Sequence, residues 1–148
     1  MKDETLNTKE MDQERLDFGY TPSEEEPYMN PRQVEYFKQK LLEWRNRLME
    51  ASVDTVSQLK NRIDRESDFL DNSSLETNIS LLLRNRDRDR KLIRKIDEAL
   101  ERIRDGTYGY CEETGEEIGL KRLEARPIAT LCLEAQEWHE QEERLYRH

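Results

Sequence analysis

The sequence predicts a mainly α protein: a long antiparallel coiled-coil hairpin on a small globular domain, with a degenerate zinc-finger-like motif and a C-terminal helix. Three observations lead there. Apolar residues recur at alternating steps of three and four through two long runs that contain no Gly or Pro. Of the 148 residues only 34% are hydrophobic and 40% are charged, which suits helices burying a narrow stripe rather than one large core. Both cysteines and four of the five glycines fall between Gly106 and Cys132, beyond the second run, where a compact, turn-rich unit is expected.

Residues 1–32 form an N-terminal segment predicted to pack on the globular part. It is polar, broken by Pro22 and Pro27, with a short helical piece expected around Glu10–Leu16. Asn30 and Pro31 read as the cap and first position of a helix. Residues 33–107 form the hairpin, with its tip near 66–74. The first seam is Val34, Phe37, Leu41, Trp44 and Leu48, resuming at Val56, Leu59 and Ile63. The eight-residue gap from Leu48 to Val56 predicts a stutter near 51–53. "ESDFLDNSS" supplies the reversal, with Asn72, Ser73 and Ser74 as candidate caps. The second seam is Leu75, Ile79, Leu82, Arg86, Asp89, Ile93, Ile96, Leu100 and Ile103, two of its positions polar. Gly106 and Gly109 end it. A globule at 108–129 has turn signals at Gly115 and Gly119. A terminal helix lies within 130–148, capped by Thr130, with Leu131, Ala135, Trp138 and Glu142 or Leu145 facing inward.

Charge and hydropathy narrow the function. The net charge of −9 disfavours free DNA or RNA. No apolar signal segment opens the chain, and the longest aliphatic run is Leu81–Leu83, too short for a membrane span. Two cysteines without an export signal are expected to stay reduced, so a cytoplasmic protein is expected. A narrow hairpin offers no deep pocket and makes a better probe than an enzyme. At its tip Asp64, Glu66, Asp68 and Asp71 read either as a solvated turn or as carboxylates delivered to a metal or basic site, and Phe69 and Leu70 suggest a docking contact. On the second helix Arg84, Arg86, Arg88, Arg90, Lys91, Arg94 and Lys95 interleave with Asp87 and Asp89. That pattern is a salt-bridged solvated face or, where 88, 91 and 95 align, an anion site.

Cys111 is followed at the zinc-ribbon spacing by Thr114, and Cys132 by Ala135. Structural zinc takes four ligands, typically thiolate or imidazole; threonine is a very poor ligand and alanine none. His139 lies seven residues beyond Cys132, about 10 Å along a helix, too far to complete a site there. Zinc is not expected. The cysteines read as small core residues, and a disulfide between them is disfavoured.

With these blocks in view, the chain resembles the DksA/TraR family of bacterial transcription regulators over nearly its whole length. The resemblance rests on "EPYMN", "LEWRN", "LRNRDRDRKLIRKI" and "YGYCEETGEEIGLKRLEARPIATLC". It implies a non-enzymatic regulator that enters the secondary channel of RNA polymerase, between the β and β′ subunits, without binding DNA directly. There it destabilises open complexes together with ppGpp, inhibiting ribosomal RNA promoters and activating some biosynthetic ones. The family tip motif Asp-x-x-Asp-x-Ala falls on Asp68, Asp71 and Ser73, with serine in place of alanine. The ppGpp contacts fall on Leu92, Lys95 and Arg126, with Arg88 on the same face. A family lysine falls on Gln136, a loss of about 1 kcal/mol on the scale of a charge-assisted hydrogen bond. The Cys-x-x-Thr and Cys-x-x-Ala pairs resemble the zinc-independent members found in pseudomonads, implying a substitute for the zinc form when zinc is scarce. A monomer is expected. Two other readings stay open: a Gre-like transcript-cleavage factor holding a second magnesium ion at its tip, and a structural coiled-coil adaptor. A DNA-binding zinc ribbon fails on charge and on ligand count.

Overall fold

The computed structural model describes residues 19–66 and 72–147. Its helices are α1 (Pro31–Glu66), α2 (Asn72–Asp105), α3 (Leu120–Ala125) and α4 (Leu133–Tyr146). The described residues form no strand, only one antiparallel bridge between Tyr110 and Glu117. The chain divides into two compact units. One is Leu42–Glu98; the other joins the residues up to Leu41 with those from Ala99 onward.

α1 begins as the sequence predicts. Asn30 Oδ1 accepts the backbone N–H groups of Arg32 and Gln33, at 3.0 and 3.1 Å, satisfying two donors that have no intrahelical partner. Gln33 is fully buried and fully bonded. Its Oε1 accepts the N–H of Met29 at 2.9 Å, and its Nε2 donates to the Ser23 carbonyl and to Glu26, both at 3.2 Å. The segment preceding α1 is thereby tied to the helix. α2 ends in a Schellman turn. Thr107 N–H reaches the Arg102 carbonyl at 3.0 Å and Gly106 N–H that of Ile103 at 3.3 Å, with Gly106 at φ 79°.

In the Leu42–Glu98 unit the two long helices share the predicted seam. Trp44, Leu48, Val56 and Leu59 on α1, and Leu75 through Ile93 at the seam spacing on α2, are half-buried, while Ile63 is 49% exposed. A two-stranded seam cannot cover its residues completely, which explains the partial burial. Ser52 fills the stutter as a half-buried seam residue. Arg45 Nε donates to Asp97 at 2.7 Å across the helix pair.

The other unit holds a true core. Phe37, Leu41, Ala99 and Leu123 are fully buried. Tyr108, 2% exposed, packs its ring 5.9 Å from Phe37 and donates its hydroxyl to the Pro127 carbonyl at 2.7 Å.

Three expectations need correction. α4 starts at Leu133 with Cys132 at its cap position and no side-chain cap bond; the Thr130 carbonyl is occupied by Glu112 N–H at 2.9 Å. On α4 only Ala135 is buried; Trp138 is 54% and Leu145 78% exposed. Asn72–Ser74 lie in the first turn of α2 rather than before it. α3 was not anticipated: its six residues are too few for periodicity to register, although Leu120 and Leu123 at i and i+3 are its buried face.

Candidate functional site

The chain between Gly109 and Ile118 folds back on itself as a knuckle. Ile118 N–H donates to Gly109 at 2.9 Å, Cys111 N–H to Glu116 at 2.7 Å and Gly115 N–H to Cys111 at 3.0 Å. Gly109 has φ 90°, and a Cβ there would meet Met29 Cγ at 2.8 Å. Tyr28 closes the base: its hydroxyl donates to the Gly109 carbonyl at 2.7 Å and accepts from Gly119 N–H at 3.0 Å.

This knuckle and the start of α4 bring Cys111, Thr114, Cys132 and Ala135 together. Cys111, Cys132 and Ala135 are 3%, 6% and 6% exposed and form one cluster, with Leu131 packed against it. Both cysteines are free thiols. Thr114 Oγ1 lies 3.8 Å from Cys132 Sγ and also accepts Glu116 N–H at 3.3 Å. Burial pushes the Cys111 thiol up. Hydrogen bonds from the Thr114 hydroxyl and from the backbone N–H groups of Cys132, Thr114 and Glu113 outweigh it and bring the value down to about 6.

The fourth corner has no donor, because Ala135 offers only a methyl group. Among the described residues no three or more His, Cys, Asp or Glu side chains converge on a metal position. His139 turns elsewhere: its Nε2 pairs with Glu113, whose hydrogen bond raises the imidazole pKa. That pair fastens the knuckle to α4. Its signal in the sequence is slight, since Glu113 and His139 stand 26 positions apart.

The remaining predicted positions divide as follows. Asp68 and Asp71 lie outside the described residues, as do Phe69, Leu70 and the Glu10–Leu16 piece. Ser73 falls in the first turn of α2. Arg88 and Lys95 are exposed on α2 and Leu92 is half-buried between them in sequence. Arg126 is exposed in the other unit, at the C-cap of α3. It borders an open cavity of about 480 Å³ with Lys121, Arg122, Ile118 and Leu133. Gln136 is half-buried and donates to Glu140 at 3.2 Å.

The comparisons with known proteins agree over both halves. Residues 33–103 match the family described as DnaK suppressor protein DksA, N-terminal domain. Residues 106–141 match the prokaryotic dksA/traR C4-type zinc finger. The chain is 59% identical to the RNA polymerase-binding transcription factor DksA of Caulobacter vibrioides over 128 residues, covering 86% of this chain and 90% of that protein. With the Escherichia coli K12 protein of the same name it shares 44% identity over 119 residues, 78% of this chain and 79% of the other. The solved structure of transcription factor DksA2 from Pseudomonas aeruginosa superposes with a TM-score of 0.75 at 43% identity, covering 89% of this chain and 98% of that one.

Proposed function

From the membership of this chain in the DksA/TraR family, we propose that it is a transcription regulator that binds RNA polymerase and needs no zinc to do so. The single observation that carries the polymerase reading is the reach of the identity: 59% over 128 residues, covering 86% of this chain and 90% of the relative. The relatives bear the name of transcription factors, not of enzymes, which favours a regulator over the cleavage-factor reading.

In the proposed mechanism the hairpin enters the secondary channel between the β and β′ subunits. A helix of 36 residues, as α1 is, spans about 54 Å at 1.5 Å per residue, which gives the tip its reach. Asp68, Asp71 and Ser73 then act near the polymerase active site and destabilise open complexes. The co-effector ppGpp is proposed to sit at the polymerase interface against Arg88, Leu92, Lys95 and Arg126. Arginine and lysine there would supply charge-assisted bonds to its phosphates. Gln136, neutral where the family carries lysine, would leave that response weaker.

The residues around Cys111 do not fit a structural zinc ion. A buried methyl group at Ala135 and a hydroxyl at Thr114 stand where two thiolates would be required. Cys111, Cys132 and Ala135 close instead into one buried cluster with Leu131 packed against it, which is what supports a zinc-independent fold.

Two measurements on the purified protein test the reading together: bound zinc, and transcription from a ribosomal RNA promoter with polymerase and a strong chelator present. Undiminished inhibition by metal-free protein is expected. Stoichiometric zinc, with inhibition lost on chelation, would overturn zinc independence. Failure to inhibit under any condition would overturn the polymerase reading. Gln136→Lys should strengthen the ppGpp response.

A further inference from the structure

The Leu42–Glu98 unit contains an arginine-lined groove that the polymerase reading leaves unused. Arg86, Arg90 and Arg94 follow one another at four-residue steps, so they line a single stripe of α2, one turn apart. With Ile93, and with Met49 and Ser52 of α1, they line an open groove of about 410 Å³. Its position follows from the stutter. Between Leu48 and Val56 the seam has no large apolar residue, and the small Ser52 leaves room between the helices.

The groove holds one buried, unsatisfied donor. Arg86 occupies a seam position, and its Nε is buried without a hydrogen-bond partner. None of the three arginines forms an ion pair among the described residues. Asp97 borders the groove, but Arg45 already occupies its Oδ1 at 2.7 Å. Like charges one turn apart repel, and a buried N–H without an acceptor is unfavourable. One multiply charged oxyanion relieves both, because guanidinium groups bind phosphate oxygens in pairs.

We propose that this groove binds a small polyanion of the phosphate class, a chain of two or three phosphates held by Arg86, Arg90 and Arg94, with Ser52 as a further donor. These residues are distinct from Arg88, Leu92, Lys95 and Arg126, and the binding requires no polymerase.

The test is calorimetric titration of the full chain, without polymerase, with inorganic tripolyphosphate and pyrophosphate; sodium sulfate at matched ionic strength is the control. Saturable one-to-one binding is expected. Arg90→Gln with Arg94→Gln should weaken it at least tenfold. Lys60→Gln with Arg62→Gln removes two exposed charges of the same unit outside the groove and should change it less than twofold. Arg90 and Arg94 are exposed, so circular dichroism should report an unchanged helix content. Ser52→Leu fills the groove without altering charge and should abolish binding. ATP titrated alongside separates the two sources of such a chain: affinity equal to tripolyphosphate means the phosphates suffice, and higher affinity means a nucleoside rests on Met49 and Ile93. Absence of saturable binding at millimolar ligand, equal loss in both double variants, competition by sulfate on a par with tripolyphosphate, or binding undiminished by Ser52→Leu would each overturn the proposal.

Discussion

Thr114 marks how a single hydroxyl can take up part of a metal's work. Zinc holds thiolates by charge; here the Thr114 hydroxyl and three backbone N–H groups hold the Cys111 sulfur by hydrogen bonds. The thiol value of about 6 lies below its reference of 9.0, so the folded state gains from ionisation. That stabilisation is complete above the reference value and is lost as pH falls through about 6. Thiolate absorbance near 240 nm (an ultraviolet band) in the intact protein should therefore begin to rise well below the ordinary thiol range, with its first midpoint near pH 6. Thr114→Ala should move that midpoint upward; an unmoved midpoint would mean that the hydroxyl is idle. Gly109→Ala should destabilise by about 2 kcal/mol, since alanine is strained at φ 90° and its Cβ would stand 2.8 Å from Met29. Denaturant unfolding measures it. The four positions of the degenerate motif could be read from their spacing alone. Their mutual hydrogen bonding could not, because Cys111 and Cys132 meet only through tertiary folding. The partnership of His139 with Glu113 was hidden for the same reason.

Helices declare themselves through period, and both long helices were legible because their seams run for many turns without Gly or Pro. The nine predicted seam residues of α2 are all buried or half-buried, Arg86 and Asp89 included. The terminal helix was legible in kind but not in face. Trp138 reads as an anchor by size, yet α4 has only its first turn against the cluster, and the ring stays outside. The Thr130 cap failed because the chain stays extended to Cys132, at ψ 165°. The seam arginine offers a test at this scale. Arg86→Leu should raise the unfolding free energy by about 1 kcal/mol, because it replaces a half-buried, partly unsatisfied cation with an apolar seam residue. Thermal unfolding of the two proteins decides it. A fall in stability would mean that the guanidinium contributes more than its stem.

At the scale of the molecule, charge and core are unevenly shared. Residues 42–98 carry twelve basic and twelve acidic side chains, so the net −9 resides outside them. The fully buried residues, conversely, lie mostly in the unit that contains the knuckle. Its stability rests on Phe37, Leu41, Leu123 and Tyr108, none of which could ligate zinc under ordinary conditions. Overnight treatment with a strong chelator should leave the melting temperature within about 1 °C, since small unfolding increments translate into a few degrees for a chain of this size. A loss of several degrees would reveal a metal that the residues described do not provide.

The knuckle-bearing unit is discontinuous: its sequence is interrupted at Leu41 and resumes at Ala99. During synthesis its first part leaves the ribosome long before its second part is made. Phe37 and Leu41 must wait, uncovered, through the whole excursion of residues 42–98. The two ends of this unit can therefore join only after the piece between them has been made. Whole heptads could be added to or deleted from the insertion without altering a single residue of the unit that holds its ends.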